Sequence, residues 1–271
     1  MTTQLKDEVH DFWNAESCGE SYGLSDAGVD LQRQAAERYR LEPYLAPFAR
    51  FEDGRGKDVL EVGVGLGADH GRWAQSEPRS LSGVDLTPRA IAFTGERLRA
   101  AAKQSDLRVA DAENLPFADA SFDIVYSWGV LHHSPDTRRC FAEVARVLRP
   151  GGVARILIYH KWSPVGAMLW LRYGLACGRP GRSLTDIYAE HLESPGTKAF
   201  TRAEGEALCR DAGFTSWSVR VQLSHGDLLE GNVGVRHEGA LLSIAKRFWP
   251  RKTLQRFGNH IGLCLLIEAR L

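Results

Sequence analysis

The chain has 271 residues, 44% of them apolar and 25% charged, with 34 basic and 34 acidic side chains. That balance suits one elaborated α/β unit and excludes a protein held to nucleic acid by bulk positive charge. The opening run MTTQLKDEVHDFW lacks the apolar core of a secretory leader, and the longest apolar stretch, Val165 to Ala176, carries Arg172 and is too short to span a bilayer. Five scattered cysteines (Cys18, Cys140, Cys177, Cys209, Cys264) form no C-x-x-C pair. The expectation is reduced thiols, a cytoplasmic location, and neither a metal site nor a disulfide framework.

In chain order, residues 1–50 predict a helical lid or cap. The run HDFWNAESCGESYG sets Phe12, Trp13 and Tyr22 around a Cys18-Gly19 turn, ahead of a helix starting near Asp26. Aromatic side chains on such a segment can close over a flat ligand and exclude water. Residues 51–160 predict the core. The run VLEVGVGLG reads as a buried strand over 59–63 that stops in a turn with Gly63, Gly65 and Gly67, followed by a helix over 68–76. Glycine permits positive φ there and lets a ligand lie against bare main chain beside a helix N-terminus. The spacing is G-x-G-x-G, whereas a dinucleotide turn reads G-x-G-x-x-G. Glu61, just upstream, is a poor neighbour for a phosphate and suits a ligand carrying positive charge.

Leu81 to Leu86 reads as the next strand, with Asp85 at its end, and Pro88 to Lys103 as a helix with proline at its start. Leu107 to Ala110 is a third strand, ending at Asp111, and Phe122 to Ser127 a fourth. Asp136 to Leu148 has helical periodicity and stops at Arg149-Pro150-Gly151-Gly152, before a fifth strand from Val153 to Tyr159. This alternation predicts a parallel sheet with helices on both faces. Residues 161–200 are an insertion suited to capping a substrate, and residues 201–271 return to the core around a second insertion at 225–259. The basic residues of that second insertion (Arg236, Lys246, Arg247, Arg251, Lys252, Arg256) outnumber its acids.

The strand-end carboxylates suggest a nucleoside. Asp85 lies about twenty residues past the glycine turn, the separation at which an acidic group binds ribose hydroxyls. Asp111, followed by Ala112, is suited to accept from an exocyclic amine such as adenine N6.

The runs VLEVGVGLG, GVDLTP, VADAENLPFADASFDIVYSWGVLHHSPD and RVLRPGG resemble the successive motifs of class I S-adenosylmethionine-dependent methyltransferases. The resemblance is to the broad small-molecule subgroup that includes ubiquinone and menaquinone C-methyltransferases. It covers roughly residues 35–160, and more weakly 200–223 and 261–271. It implies a Rossmann-like seven-stranded sheet, mostly parallel with the last strand antiparallel, and S-adenosyl-L-methionine as cofactor. Gly63, Gly65 and Gly67 would surround the methionyl part and Glu61 would favour its cationic end. Asp85 would hold the ribose, with Leu86 against adenine and Asp111 and Ala112 at the adenine edge. Ser127 and Trp128 would lie near the methionyl group. Arg38 or Arg40 would pair with the cofactor carboxylate, and Tyr39 is a lid or core residue. His132 and His133 are candidate general bases, His133 preferred; Tyr159, His160 and His191 are secondary candidates. The acceptor is then a small, hydrophobic or amphipathic metabolite, methylated on oxygen in preference to carbon or nitrogen, with no nucleic-acid partner and a homodimer left open. A dinucleotide oxidoreductase, an RNA or protein methyltransferase, and a cofactor-binding relative repurposed for other chemistry are the competing readings.

Overall fold

Strand β3 (Asp58–Val62) is buried along its whole length, as a parallel strand covered on both faces must be. The computed structural model describes residues 2–25, 28–230, 247 and 249–271. On one side of β3 lie β4 (Ser80–Asp85) and β5 (Asp106–Val109), and on the other β6 (Phe122–Trp128) and β7 (Leu148–Tyr159). The last two strands, β8 (Ser216–Gln222) and β9 (Cys264–Arg270), complete seven strands in the order β5-β4-β3-β6-β7-β9-β8. Only β9 runs against the rest, paired antiparallel with both neighbours. The chain leaves β3 toward β4 and later crosses to β6, so the strand order reverses beside β3. That reversal opens a crevice at the carboxyl ends of the strands.

The residues of β6 alternate between two cores, as a strand requires. Val125 joins Phe141, Val144 and Leu208 in one, while Ile124 and Tyr126 join Phe48 and Trp73 in the other. The helices α4 (Ala68–Gln75), α5 (Pro88–Ala100), α6 (Thr137–Val147) and α9 (Arg202–Asp211) cover the sheet.

Two boundaries differ from the sequence reading by about five residues. The helix expected near Asp26, which lies outside the described residues, starts instead at Leu31. Asp30 caps it, its carboxylate accepting from the amides of Gln32 and Arg33. The short strands Leu24–Ser25 and Gly28–Val29 pair just before it. Strand β7 starts at Leu148, ahead of the proline-glycine stop. Phe122 pairs with Leu148 and Ile124 with Val153, so the intervening residues bulge without leaving the sheet. Gly151 turns there with φ 79°, and its amide donates to the carbonyl of Leu271.

Residues 161–200 form α7 (Pro164–Trp170), a π-helical turn over Leu171–Leu175, and α8 (Leu184–His191), packed on a small core of Leu169, Ile187 and Tyr188. The N-terminus supplies α1 (Thr2–Ala15) and α2 (Leu31–Leu41). Among the described residues no helix is long and apolar enough to cross a membrane. The basic residues Arg236 and Lys246 of the second insertion lie outside the described residues.

The glycine turn is packed from below. A Cβ on Gly67, where φ is 75°, would come within 2.9 Å of the Thr94 backbone. Gly67→Ala is expected to cost about 2–4 kcal/mol, from strain and overpacking together. Gly129→Ala, with φ 72° but open space at its Cβ, should cost about 1 kcal/mol. Urea midpoints at unchanged slope measure both.

Candidate functional site

Local hydrogen bonds build the floor of the crevice. After Val62, the amides of Gly63 and Val64 both donate to the carbonyl of Val84, at 2.8 and 3.2 Å. Gly63, Gly65 and Gly67 all have positive φ. The Thr94 hydroxyl and the Arg97 guanidinium, both on α5, donate to the carbonyls of Gly65 and Leu66. The turn is thereby clamped against α5. At Gly65 a Cβ would meet nothing within 4 Å, so bare main chain faces open space.

Asp85 adjoins this cradle. One carboxylate oxygen accepts from the Gly65 amide at 3.1 Å, and the other from the Thr87 amide and hydroxyl at 3.0 and 2.9 Å. Burial nonetheless raises its pKa. Above the floor lies a cavity of about 1430 Å³. Glu61, Gly63, Gly65, Gly67, Asp85, Leu86, Asp111, Ala112 and Trp128 all line it, as do Arg38, Phe12, Trp13, Tyr22, His133 and Tyr159.

Six predicted site residues fall outside the cavity lining, among them His191, whose ring stacks on that of Tyr173 with centroids 3.8 Å apart. Ser127 is fully buried and donates to the Val62 carbonyl at 2.9 Å. It precedes Trp128 on a strand, so the two side chains point to opposite faces. Arg40 is exposed and pairs with Glu37; two positions along a helix place it about 200° from Arg38. Tyr39 donates its hydroxyl to Asp69 at 2.9 Å and serves the packing. His160 is buried with Nδ1 2.9 Å from the Gly262 carbonyl, joining the end of β7 to the chain entering β9. His132 is fully buried behind the wall, its ring centroid 3.9 Å from that of Tyr159.

Sequence spacing did not single out Asp69. This carboxylate, in the first turn of α4 and 4% exposed, also lines the cavity. It accepts from Arg38 at 2.8 and 3.3 Å, from Tyr39, and from the Tyr126 hydroxyl at 2.8 Å. Burial opposes the charge of Arg38, but Asp69 and Glu42 outweigh it and hold the guanidinium protonated. An acidic residue one position into a helix that opens from a glycine turn was the available signal, since a helix N-terminus favours it.

Glu61 is less simple than expected. Its Oε2 lies 2.9 Å from His70 Nδ1, and His70 Nε2 lies 2.8 Å from the Ser105 hydroxyl. That hydroxyl donates to the Leu81 carbonyl, so Nε2 carries a hydrogen. The remaining proton is shared by Nδ1 and Glu61. Burial drives the His70 pKa down to about 3 and raises that of Glu61 well above its ordinary value. Both directions place the proton on Glu61, as a neutral pair.

At the other end, α1 lies over the cavity. Lys6 reaches Asp111 at 2.6 Å and Glu113 at 2.5 Å. Trp13 meets the His133 ring edge-on at 5.1 Å between centroids. His133 Nδ1 lies 2.8 Å from the Ser194 hydroxyl and 3.2 Å from that of Thr197. Glu193, which sequence reading also passed over, stands 3.3 Å from His133 Nε2.

A seven-stranded sheet of this order, with a bare glycine cradle and a carboxylate at the next strand end, is a Rossmann-like methyltransferase fold. The open main chain at Gly65 and the carboxylate of Asp85 fit S-adenosylmethionine, the cofactor of that fold. Residues 60–156 match the family model described as "Methyltransferase domain". The chain is 44% identical over 131 residues to the phthiotriol/phenolphthiotriol dimycocerosates methyltransferase of Mycobacterium tuberculosis, covering 47% of each chain. It is 35% identical to the erythromycin 3''-O-methyltransferase of Saccharopolyspora erythraea, over 49% of this chain and 41% of that one. It thus spans about half the length of the curated relatives it matches. Among solved structures it resembles the geranyl diphosphate C-methyltransferase of Streptomyces coelicolor with a TM-score of 0.64 at 18% identity, covering 98% of this chain and 97% of that one.

The neutral Glu61–His70 pair has a pH signature. An unfolded glutamate ionises near 4.5, whereas the folded Glu61 stays protonated well above that. Wild type therefore loses stability relative to Glu61→Gln as pH rises past 4.5, by up to about 1.4 kcal/mol per pH unit. Parallel urea-stability profiles for the two proteins from pH 5 to 8 would instead mean an anionic Glu61.

Proposed function

We propose that this chain transfers the methyl group of S-adenosylmethionine to a small, largely apolar or amphipathic metabolite, with a hydroxyl oxygen as the favoured acceptor and carbon or nitrogen as the alternatives. The observation that carries this reading is one continuous cavity of about 1430 Å³. A single small-molecule site occupies about 300–1,000 Å³, so there is room for a cofactor and a second molecule. Beyond the cradle the wall becomes apolar: Trp13, Val165, Met168, Leu169, Leu229 and Trp249 all contribute. The printed names of the two relatives, a phthiotriol/phenolphthiotriol dimycocerosates methyltransferase and an erythromycin 3''-O-methyltransferase, support a small-molecule acceptor, and the second supports oxygen as the methylated atom. The finer grouping with quinone C-methyltransferases has no comparable support among them.

The bound cofactor supplies an electrophilic methyl on a cationic sulfur. The residues of this chain then bind and align. Asp85 accepts from the ribose hydroxyls and Leu86 packs on the adenine. Asp111 and Ala112 meet the adenine edge, where Lys6 now stands. The Gly63–Gly67 turn takes the methionyl chain against its main chain, and Arg38, of the two candidate arginines, is the one assigned to the cofactor carboxylate. Excluding water and aligning nucleophile, methyl and sulfur is the main contribution. We assign α1 the role of lid: Lys6 fastens it near the adenine end and Trp13 near the acceptor end. His133, the one member of the tandem pair that lines the cavity, is assigned to acceptor activation. All five cysteines are unpaired, which supports the expectation of a reducing, cytoplasmic compartment.

The cofactor assignment is tested by calorimetry with S-adenosylmethionine. Asp85→Ala should weaken binding about 100-fold, the loss of two charge-assisted hydrogen bonds, while Arg40→Ala leaves it unchanged. Unaltered affinity in a folded Asp85→Ala protein would remove the site assignment. Incubating metabolite extracts with methyl-labelled cofactor then identifies the acceptor, and failure to label any extract component would count against methyl transfer.

A further inference from the structure

Beside the acceptor end lie two histidines with unmet bonding capacity. His132 and His133 sit on the turn between β6 and α6, closed by the His133 amide donating to the Val130 carbonyl at 2.9 Å. Glu193 follows α8, in the insertion, and reaches the same place from a distant part of the sequence. His132 is fully buried, and neither of its ring nitrogens has a hydrogen-bond partner. His133 is 5% exposed, and its Nε2 also makes no hydrogen bond, although a Glu193 oxygen stands 3.3 Å away. Buried imidazole nitrogens are ordinarily paired, so three unpaired ones in one cluster require an explanation.

The chemistry of the group supplies one. The Thr197 hydroxyl donates to the Ser194 carbonyl at 2.6 Å, so toward His133 Nδ1 its oxygen can only accept. In the tautomer with the hydrogen on Nδ1, that N–H is given to Ser194 and Thr197, at 2.8 and 3.2 Å, and the lone pair lies on Nε2, facing Glu193. A ligating histidine is held in this way, its far N–H given to an oxygen that fixes the tautomer. Tyr159 donates to the Glu193 carboxylate and steadies it similarly. Two ligand atoms bound to one ion at about 2.1 Å with a near-tetrahedral angle lie about 3.4 Å apart, close to the observed 3.3 Å between Nε2 and Oε2. One nitrogen of His132 completes three ligand atoms that all lie within 4.8 Å of one another. Lys198, the cation that bears on His132, is turned to the Ser134 carbonyl at 2.5 Å.

We infer that His132, His133 and Glu193 form a binding site for one divalent transition-metal ion, of the zinc, iron(II) or cobalt(II) type, at the acceptor end of the cavity. Two imidazoles and one carboxylate are a donor set for such ions, and three protein ligands leave coordination positions open. His133 and Glu193 line the cavity, so those positions face it. The cysteine pattern, which predicted no metal, carries no information about this set. Use of the ion in catalysis rests on the methyl-transfer reading, whereas its binding does not. An acceptor hydroxyl on the ion would lose its proton to solvent, its oxygen pair would form the O–C bond, and the electron pair of the C–S bond would stay on sulfur. His133 then activates the acceptor as a ligand.

The test is a titration of the chelator-treated, full-length chain with cobalt(II), followed by its visible d–d absorption, with zinc(II) as competitor. One equivalent should bind with micromolar affinity or better and be displaced by zinc. Glu193→Gln, at a partly exposed position that leaves the core intact, should weaken binding at least tenfold, as should His132→Asn. No cobalt band in wild type, or a band unmoved in Glu193→Gln and in whichever histidine variant folds, overturns the site. Calorimetry with S-adenosylmethionine on Glu193→Gln separates the two readings. Metal loss with cofactor affinity retained is the expected result. A wild-type chain that binds the ion but labels no acceptor keeps the metal site while removing methyl transfer.

Discussion

The Asp69 carboxylate ties the N-terminal cap to the sheet. It is nearly inaccessible, yet it receives Arg38 and Tyr39 from α2 and Tyr126 from β6. One side chain on α4 thus joins three elements distant in sequence. Without it, Arg38 would keep only Glu42 as counter-charge, and two phenols would lose their acceptor. Removing one partner of a buried ion pair is costly because the other charge stays buried. The position of α2, and with it one wall of the cavity, follows from this contact.

The two ends of the cavity are made by different physics. At the cofactor end, positions are held by backbone hydrogen bonds and by side chains bonded to nearby backbone, such as Asp85 to Gly65 and Thr87. Such contacts are short-range and stiff. At the acceptor end, the walls are side chains from α1, from α7 and its π turn, and from the chain before β9. The small core of Leu169, Ile187 and Tyr188 holds the insertion together, with a bridge between His160 and Phe200 at its base. The Glu61–His70 pair beneath the cradle is neutral. A cationic sulfur would therefore meet oriented dipoles more than a fixed anion.

The central strands of the core were legible, because β3, β4 and β6 are short, mostly apolar runs bounded by glycine, proline or aspartate. The main departure, β7 starting at Leu148, arose because a proline-glycine segment can bulge inside a sheet as well as end an element. Among the site residues, Gly63, Gly65, Gly67, Asp85 and Asp111 line the cavity as the strand-end reading expected. Ser127, Arg40, Tyr39, His160 and His132 do not. Each of these has a near sequence neighbour that does line it: Trp128, Arg38, Tyr159 or His133. The difference is one of face. Adjacent residues on a strand point in opposite directions, and two positions on a helix reverse the side.

The contiguous stretch from Val59 to Gly67, with Asp85 beyond it, was enough to specify the glycine-lined floor of the cavity. Positive φ at glycines, a strand end and a helix start are properties of a few neighbouring residues, so they can be read without knowing the fold. The acceptor end was decided only in three dimensions. Asp69 became a hub, and Glu193 came to face His133, because packing brings together segments that sequence spacing leaves unrelated. Which of two adjacent side chains enters a cavity is set by the core that its neighbour has to fill.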